Sequence, residues 1–192
     1  MLDLANRCVF PNLPSVLSGE AITAMERVGL AVATVMVRKG RDAELGRSVE
    51  RLFGIRLPDG PAWTSRNGVT YLGTGPGKWL AISEPGNLAF VQKLDADLNG
   101  VASVVDQSGG LGVLRLSGPA LFDTLAKGVQ IDLAPDVFPT GAVAVTSIAH
   151  IGGTLWKVDD LPTIDIAVAR SLSNSFLHWL EVSAPALSPR PV

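Results

Sequence analysis

Cysteine is almost missing: Cys8 stands alone among 192 residues, so no disulfide can form within the chain. Histidine is nearly as scarce. His150 and His178 are the two, and with no CxxC pair the chain lacks the ligand spacing of a structural zinc site. Charge is thin as well, with 16 Lys and Arg against 18 Asp and Glu for a net charge of −2. The basic residues between positions 38 and 56 are offset by Asp42, Glu44, Glu50 and Asp59, which argues against nucleic acid as a partner. The longest apolar run, residues 28–37, is about half the ~20 residues needed to cross a bilayer. Residues 1–20 have neither the basic start nor the continuous apolar core of a secretion signal. These absences predict a globular, cytoplasmic protein with no membrane or nucleic-acid partner.

What the chain does have is aliphatic bulk. Apolar residues make up 47% and charged ones only 18%, ample for a core but little to cover a small domain's surface. Two readings stay open: a subunit interface that hides apolar surface, or an ordinary apolar exterior around a well-filled core.

Residues 103–128 hold the densest local signals. Residues 101–105 and 111–116 are apolar strand-length runs joined by the turn residues Asp106, Gln107, Ser108, Gly109 and Gly110. A helix follows over 119–127, with Ser117 as cap, Pro119 in the first turn, Leu121, Phe122, Leu125 and Ala126 as an apolar stripe, and Gly128 as a left-handed stop. Upstream, residues 30–38 read as a strand covered on both faces. A helix capped by Asp42 and ended by Gly54 comes next, then a loop over 55–67 and a hairpin of 69–73 with 79–83. A second helix opened by Pro85 and Gly86 leads into the strand at 101. Downstream come strands over 142–150, 154–158 and 164–168, with a turn at Gly152 and Gly153, and a helix from Arg170 carrying Leu172, Phe176, Trp179 and Leu180 on one face.

The expected class is therefore α+β: two split-βαβ, ferredoxin-like units with antiparallel sheets. Residues 79–98 and 164–184 both run strand, short turn, apolar-faced helix, which suggests an internal duplication without proving one. The expected organisation is an N-terminal arm at 1–20, one domain at 21–183 with lobes at 21–107 and 108–183, and a flexible Pro-rich tail at 184–192.

Catalytic groups are hard to find. Neither glycine cluster, 73–77 nor 109–112, matches a phosphate loop, because each precedes a strand. Asp159 and Asp160 are neighbours that point apart and suit a turn, Asp106 and Ser108 suit an Asx turn, and His150 has no nucleophile beside it. No catalytic, cofactor-binding or metal residue is therefore assigned. Arg115 is out of place in an apolar strand and suggests an ion pair at an interface; Trp156, His178 and Trp179 are further interface candidates.

The runs GPGKWLAIS from Gly75, DQSGGLGVLRLSGPALFDTLAKG from Asp106, IDLAPDVFPTGAVAVTSIAHI from Ile131 and TIDIAVARSLSNSFLHWLE from Thr163 resemble the γ subunit of heterotetrameric sarcosine oxidase. The resemblance covers residues 30–182 in order. It implies a shortened relative of the folate-binding aminomethyltransferase fold, in a complex that oxidatively demethylates sarcosine to glycine. It also implies α, β and δ partner subunits that carry FAD, FMN, NAD and tetrahydrofolate, with this chain an assembly component that can self-associate when isolated. In folate-using relatives a Gly-Gly turn is followed a few residues later by a carboxylate that orients the folate amine. Here Gly152 and Gly153 lead into Thr154, Leu155, Trp156 and Lys157, which disfavours folate binding unless Asp159 compensates. The alternative is a stand-alone folate-binding or one-carbon-transfer protein of the same fold.

Overall fold

The computed structural model describes residues 8–10, 13, 17–18, 21–184 and 188–189. They divide into two compact units: Gly29–Gly109 form the first, and the described residues up to Val28 together with those from Gly110 onward form the second. The lobes expected at 21–107 and 108–183 thus shift, because the stretch before Gly29 pairs with strands far downstream.

In the first unit, β-branched residues make β3 (Ala31–Val37), and α1 (Asp42–Phe53) follows. Asp42 is the first helical residue and not the cap; with Glu44 it places negative charge on the positive helix end, while Gly54 closes the helix at φ 67°. Next come β4 (Trp63–Arg66), β5 (Val69–Gly75), β6 (Lys78–Ser83), α2 (Leu88–Asp97) and β7 (Ala102–Asp106). Asn87 caps α2 by accepting from Ala89 N–H at 2.9 Å. Gly86 permits a close pass, since a Cβ there would lie 2.4 Å from the Gly29 carbonyl oxygen. The antiparallel order is β7-β3-β6-β5-β4. Leu45 and Val49 of α1 and Val91, Leu94 and Leu98 of the α2 segment pack with Ala33, Val35 and Tyr71 of the sheet.

The second unit contains β1 (Leu17–Ser18), β2 (Thr23–Glu26), β8 (Leu111–Ser117), α3 (Leu121–Leu125), β9 (Val143–Ile148), β10 (Ile151–Lys157), β11 (Thr163–Ala169), α4 (Ser173–Ser183) and β12 (Ser188–Pro189). Its sheet runs β12-β1-β2-β8-β11-β10-β9, again antiparallel. Leu114, Leu116, Leu155, Ile164, Ile166 and Val168 face a core closed by Leu121 and Leu125 of α3 and Phe176, Leu177 and Leu180 of α4.

The two layouts match over five strands, with β1 and β12 of the second unit standing outside the correspondence. β3-α1-β4-β5-β6-α2 corresponds to β8-α3-β9-β10-β11-α4, and the strand beside the first member is β7 in one unit and β2 in the other. The four strands of the ferredoxin-like expectation thus gain a fifth in the second unit, β2 from before Gly29, and β1 and β12 extend the sheet beyond it.

Several local expectations change. The strand, turn and strand expected over 101–116 are present, with the Asx turn formed by Ser108 N–H on Asp106 Oδ1 at 2.9 Å, but β7 and β8 belong to different sheets. α3 is five residues long, with Ala120 and not Ser117 at its cap. Gly128 is not left-handed: it is needed because a Cβ would meet the Trp179 ring at 2.6 Å. The turn expected at Gly152 and Gly153 is made by Ala149 and His150, at φ 47° and 69°, leaving both glycines inside β10. On α4, Leu177 replaces Leu172 on the buried side, and Leu172 is exposed.

The arm expected at 1–20 lies partly outside the described residues, but Val9, Phe10 and Leu13 are buried in the second unit's own core. Of the tail expected at 184–192, Ala184 is buried and Ser188–Pro189 pair with β1; the remainder lies outside the described residues.

Candidate functional site

Strand register builds the most unusual side-chain constellation. Val143, Trp156, Asp165, Arg115 and Met25 are direct cross-strand partners on β9, β10, β11, β8 and β2, so their side chains share one face. This is the face opposite the helices. Asp165 at its centre has no exposed surface. Its Oδ1 accepts from Arg115 Nε at 2.7 Å and its Oδ2 from Arg115 Nη2 at 2.8 Å, a two-pronged contact, and Oδ2 also accepts from Arg27 Nη1 at 2.5 Å. A carboxylate so far from water needs such donors, and the arginine fork matches its geometry.

Two of the four interface candidates therefore come together, and two do not. Arg115 and Trp156 flank Asp165 in register, and Trp156 is only 5% exposed. The ion pair suspected for Arg115 is made inside the chain, with Asp165. Trp179 lies on α4, half-buried, its ring 5.7 Å from that of Phe176 and pressed on Gly128. His178, beside it, is exposed. Sequence reading missed Asp165 and Arg27; the alternation of Asp165 with Ile164 and Ile166 was visible, but not that a strand from before Gly29 would bring Arg27 to it.

The residues after Gly152 and Gly153 do not fit a folate-orienting acid. Leu155 is core, Trp156 is buried, and Lys157, 3% exposed, donates through Nζ to the carbonyls of Asp159 and Leu161. Asp159 accepts from Leu161 N–H at 3.0 Å and so closes the β10 to β11 turn, while Asp160 accepts from Thr140 Oγ1 at 2.6 Å and ties that turn to the segment before β9. His150 is an exposed turn residue. Among the described residues, Asp165 and Lys157 are the buried charged groups, and each is saturated by the chain itself.

The chain is similar to known proteins in both sequence and fold. A family model described as the sarcosine oxidase, gamma subunit family matches residues 39–186. Sarcosine oxidase subunit gamma of Corynebacterium sp. (strain P-1) is 30% identical over 141 residues, covering 72% of this chain and 69% of that one. The Arthrobacter sp. subunit is 34% identical over 136 residues, covering 67% and 64%. Heterotetrameric sarcosine oxidase from Corynebacterium sp. U-96 contains a chain that superposes with a TM-score of 0.74 at 26% identity, over 91% of this chain and 92% of that one. Aminomethyltransferase T of the glycine cleavage system from Bartonella henselae shares the fold, with a TM-score of 0.62 at 11% identity over 82% of this chain and 45% of that one. Fold, element order and sequence agree over most of the chain's length, and the chain belongs to the sarcosine oxidase gamma subunit family.

Proposed function

We propose that this chain serves as the gamma subunit of a heterotetrameric sarcosine oxidase, assembling with alpha, beta and delta subunits into the complex that oxidatively demethylates sarcosine to glycine. The observation that carries the reading is the match to a chain of a solved heterotetramer over nine-tenths of both lengths. In this reading FAD, FMN, NAD and tetrahydrofolate are held by the partner subunits, in the cytoplasm, and the gamma chain contributes surface and no catalytic residue. The internal consumption of Asp165, Asp159 and Asp160 supports that division, because a group already committed to a guanidinium, a turn N–H or a threonine hydroxyl is not poised to move a substrate proton.

Among the interface candidates, Arg115, Trp156 and Trp179 pack mainly within the chain, which supports exposed His178 as the one that meets a partner. The aminomethyltransferase fold gives a second reading, a stand-alone folate protein. Titrating the isolated chain with tetrahydrofolate while following tryptophan fluorescence separates the two. No saturable change to millimolar ligand is expected; micromolar saturation favours the second reading.

A further inference from the structure

Beside α3 the second unit carries a groove of about 300 Å³. Phe122, Ala126, Ile131 and Leu133 give it apolar walls, and Asp123 and Asp132 stand among its lining residues. Ala126, Ile131 and both aspartates are exposed. Ile131 is a large aliphatic side chain left 37% exposed at this point. No Lys or Arg occurs in the 29 residues from Gly128 to Trp156. The cation just before that stretch is engaged elsewhere: Lys127 Nζ donates to the Ser183 carbonyl at 2.5 Å. The groove's two carboxylates are thus not countered by any cation of the stretch that forms its far wall. Asp132 is also held in position, because its Oδ1 accepts from Ala134 N–H at 2.9 Å.

We propose that this groove receives a segment of a larger oxidase subunit in which an apolar side chain is flanked by Lys or Arg. The apolar side chain covers Ile131 and Phe122, and the flanking cations meet Asp123 and Asp132. Such complementarity sets orientation and encounter rate more than raw affinity, so it leaves a salt signature. The proposal rests on the gamma subunit reading and names the surface that reading leaves open.

The test uses the co-expressed complex. Asp123→Asn with Asp132→Asn removes both charges, and the amide introduced at the second position keeps a carbonyl oxygen for the Ala134 N–H. Asp95→Asn with Asp97→Asn, exposed on α2, removes the same charge from the other unit. The groove pair is expected to speed dissociation of this chain on the order of tenfold and to flatten its salt dependence, while the α2 pair changes neither. Equal effects from both pairs, or none from the groove pair, overturn the groove and leave the subunit assignment standing, since the wild-type chain still co-purifies. Failure of the wild-type chain to co-purify overturns the assignment and the groove with it. A photo-crosslinking residue in place of Ala126 is expected to label a larger-subunit segment with Lys or Arg next to an apolar residue. Labelling of an acidic segment, or of a second copy of this chain, contradicts the proposal.

Discussion

Asp165 is tolerated in its site because two guanidiniums reach it, and the energetic consequence falls on the fold. Arg115→Ala leaves the buried carboxylate half-compensated and is expected to destabilise the isolated chain by about 2–4 kcal/mol. Urea unfolding measures it; an unchanged midpoint together with impaired assembly would return Arg115 to an interface role. Arg115→Lys should recover only part of the loss, as an ammonium cannot make the two-pronged contact. The oddity of an arginine in an apolar strand was legible in the sequence. Its partner was not, because Asp165 lies 50 residues away and only the register of β8 on β11 joins them. Tyr71 makes the opposite case: it is fully buried and its hydroxyl has no hydrogen-bond partner among the described residues. Burial pushes its pKa above the ordinary value near 10, so the folded chain keeps the proton after the unfolded chain has lost it. Stability therefore falls as pH rises past about 10, by about 1.4 kcal/mol per unit from this group. Tyr71→Phe is expected to raise stability by about 1 kcal/mol at neutral pH and to widen its advantage above pH 10. Parallel curves for the two proteins in alkaline urea titrations would refute that.

Elements with one strong periodic face were legible, and elements set by a turn or a neighbour were not. Leu45 and Val49 on α1, and Val91, Leu94 and Leu98 along α2, take the core positions their spacing predicts. β4 falls within the stretch expected to be loop because Thr64, Ser65 and Arg66 show no apolar alternation. The signal lies just downstream, in Asn67 and Gly68, whose φ values of 51° and 76° make the tight turn that folds β4 onto β5. The helix after β8 looks complete from its punctuation, yet Gly128 answers to the Trp179 ring and not to a helix end. The β9 to β10 hairpin turns without any glycine at its positive-φ positions, a conformation that costs an L-residue about 1–2 kcal/mol. His150→Gly is accordingly expected to raise stability by about 1 kcal/mol, seen as a higher urea midpoint. A lower midpoint would mean that the His150 side chain contributes more than its backbone conformation costs.

At the scale of the whole molecule, two units share one layout while only the first is continuous in sequence. Similarity of residues 79–98 to 164–184 exposed the common strand-helix step, and the structure sets both at equivalent positions, β6 with α2 and β11 with α4. That β2 would occupy the place of β7 was not legible, since no local pattern says which sheet a short strand joins. The segment carrying β2 is anchored by Glu26, whose carboxylate accepts from Val9 N–H at 2.6 Å and Phe10 N–H at 3.3 Å. Phe10→Ala is expected to cost about 3–5 kcal/mol and to raise hydrogen exchange in β8 and β11 while β3 and β6 stay protected. Uniform loss of protection in both sheets would show that the two units unfold as one. The central claim, that this chain is one subunit of a larger oxidase, is tested most directly by native mass measurement of the co-expressed oxidase complex made with and without it. The account predicts that the complex made with the chain is heavier by one copy, 20.1 kDa. Equal masses, with the chain eluting alone, would contradict it.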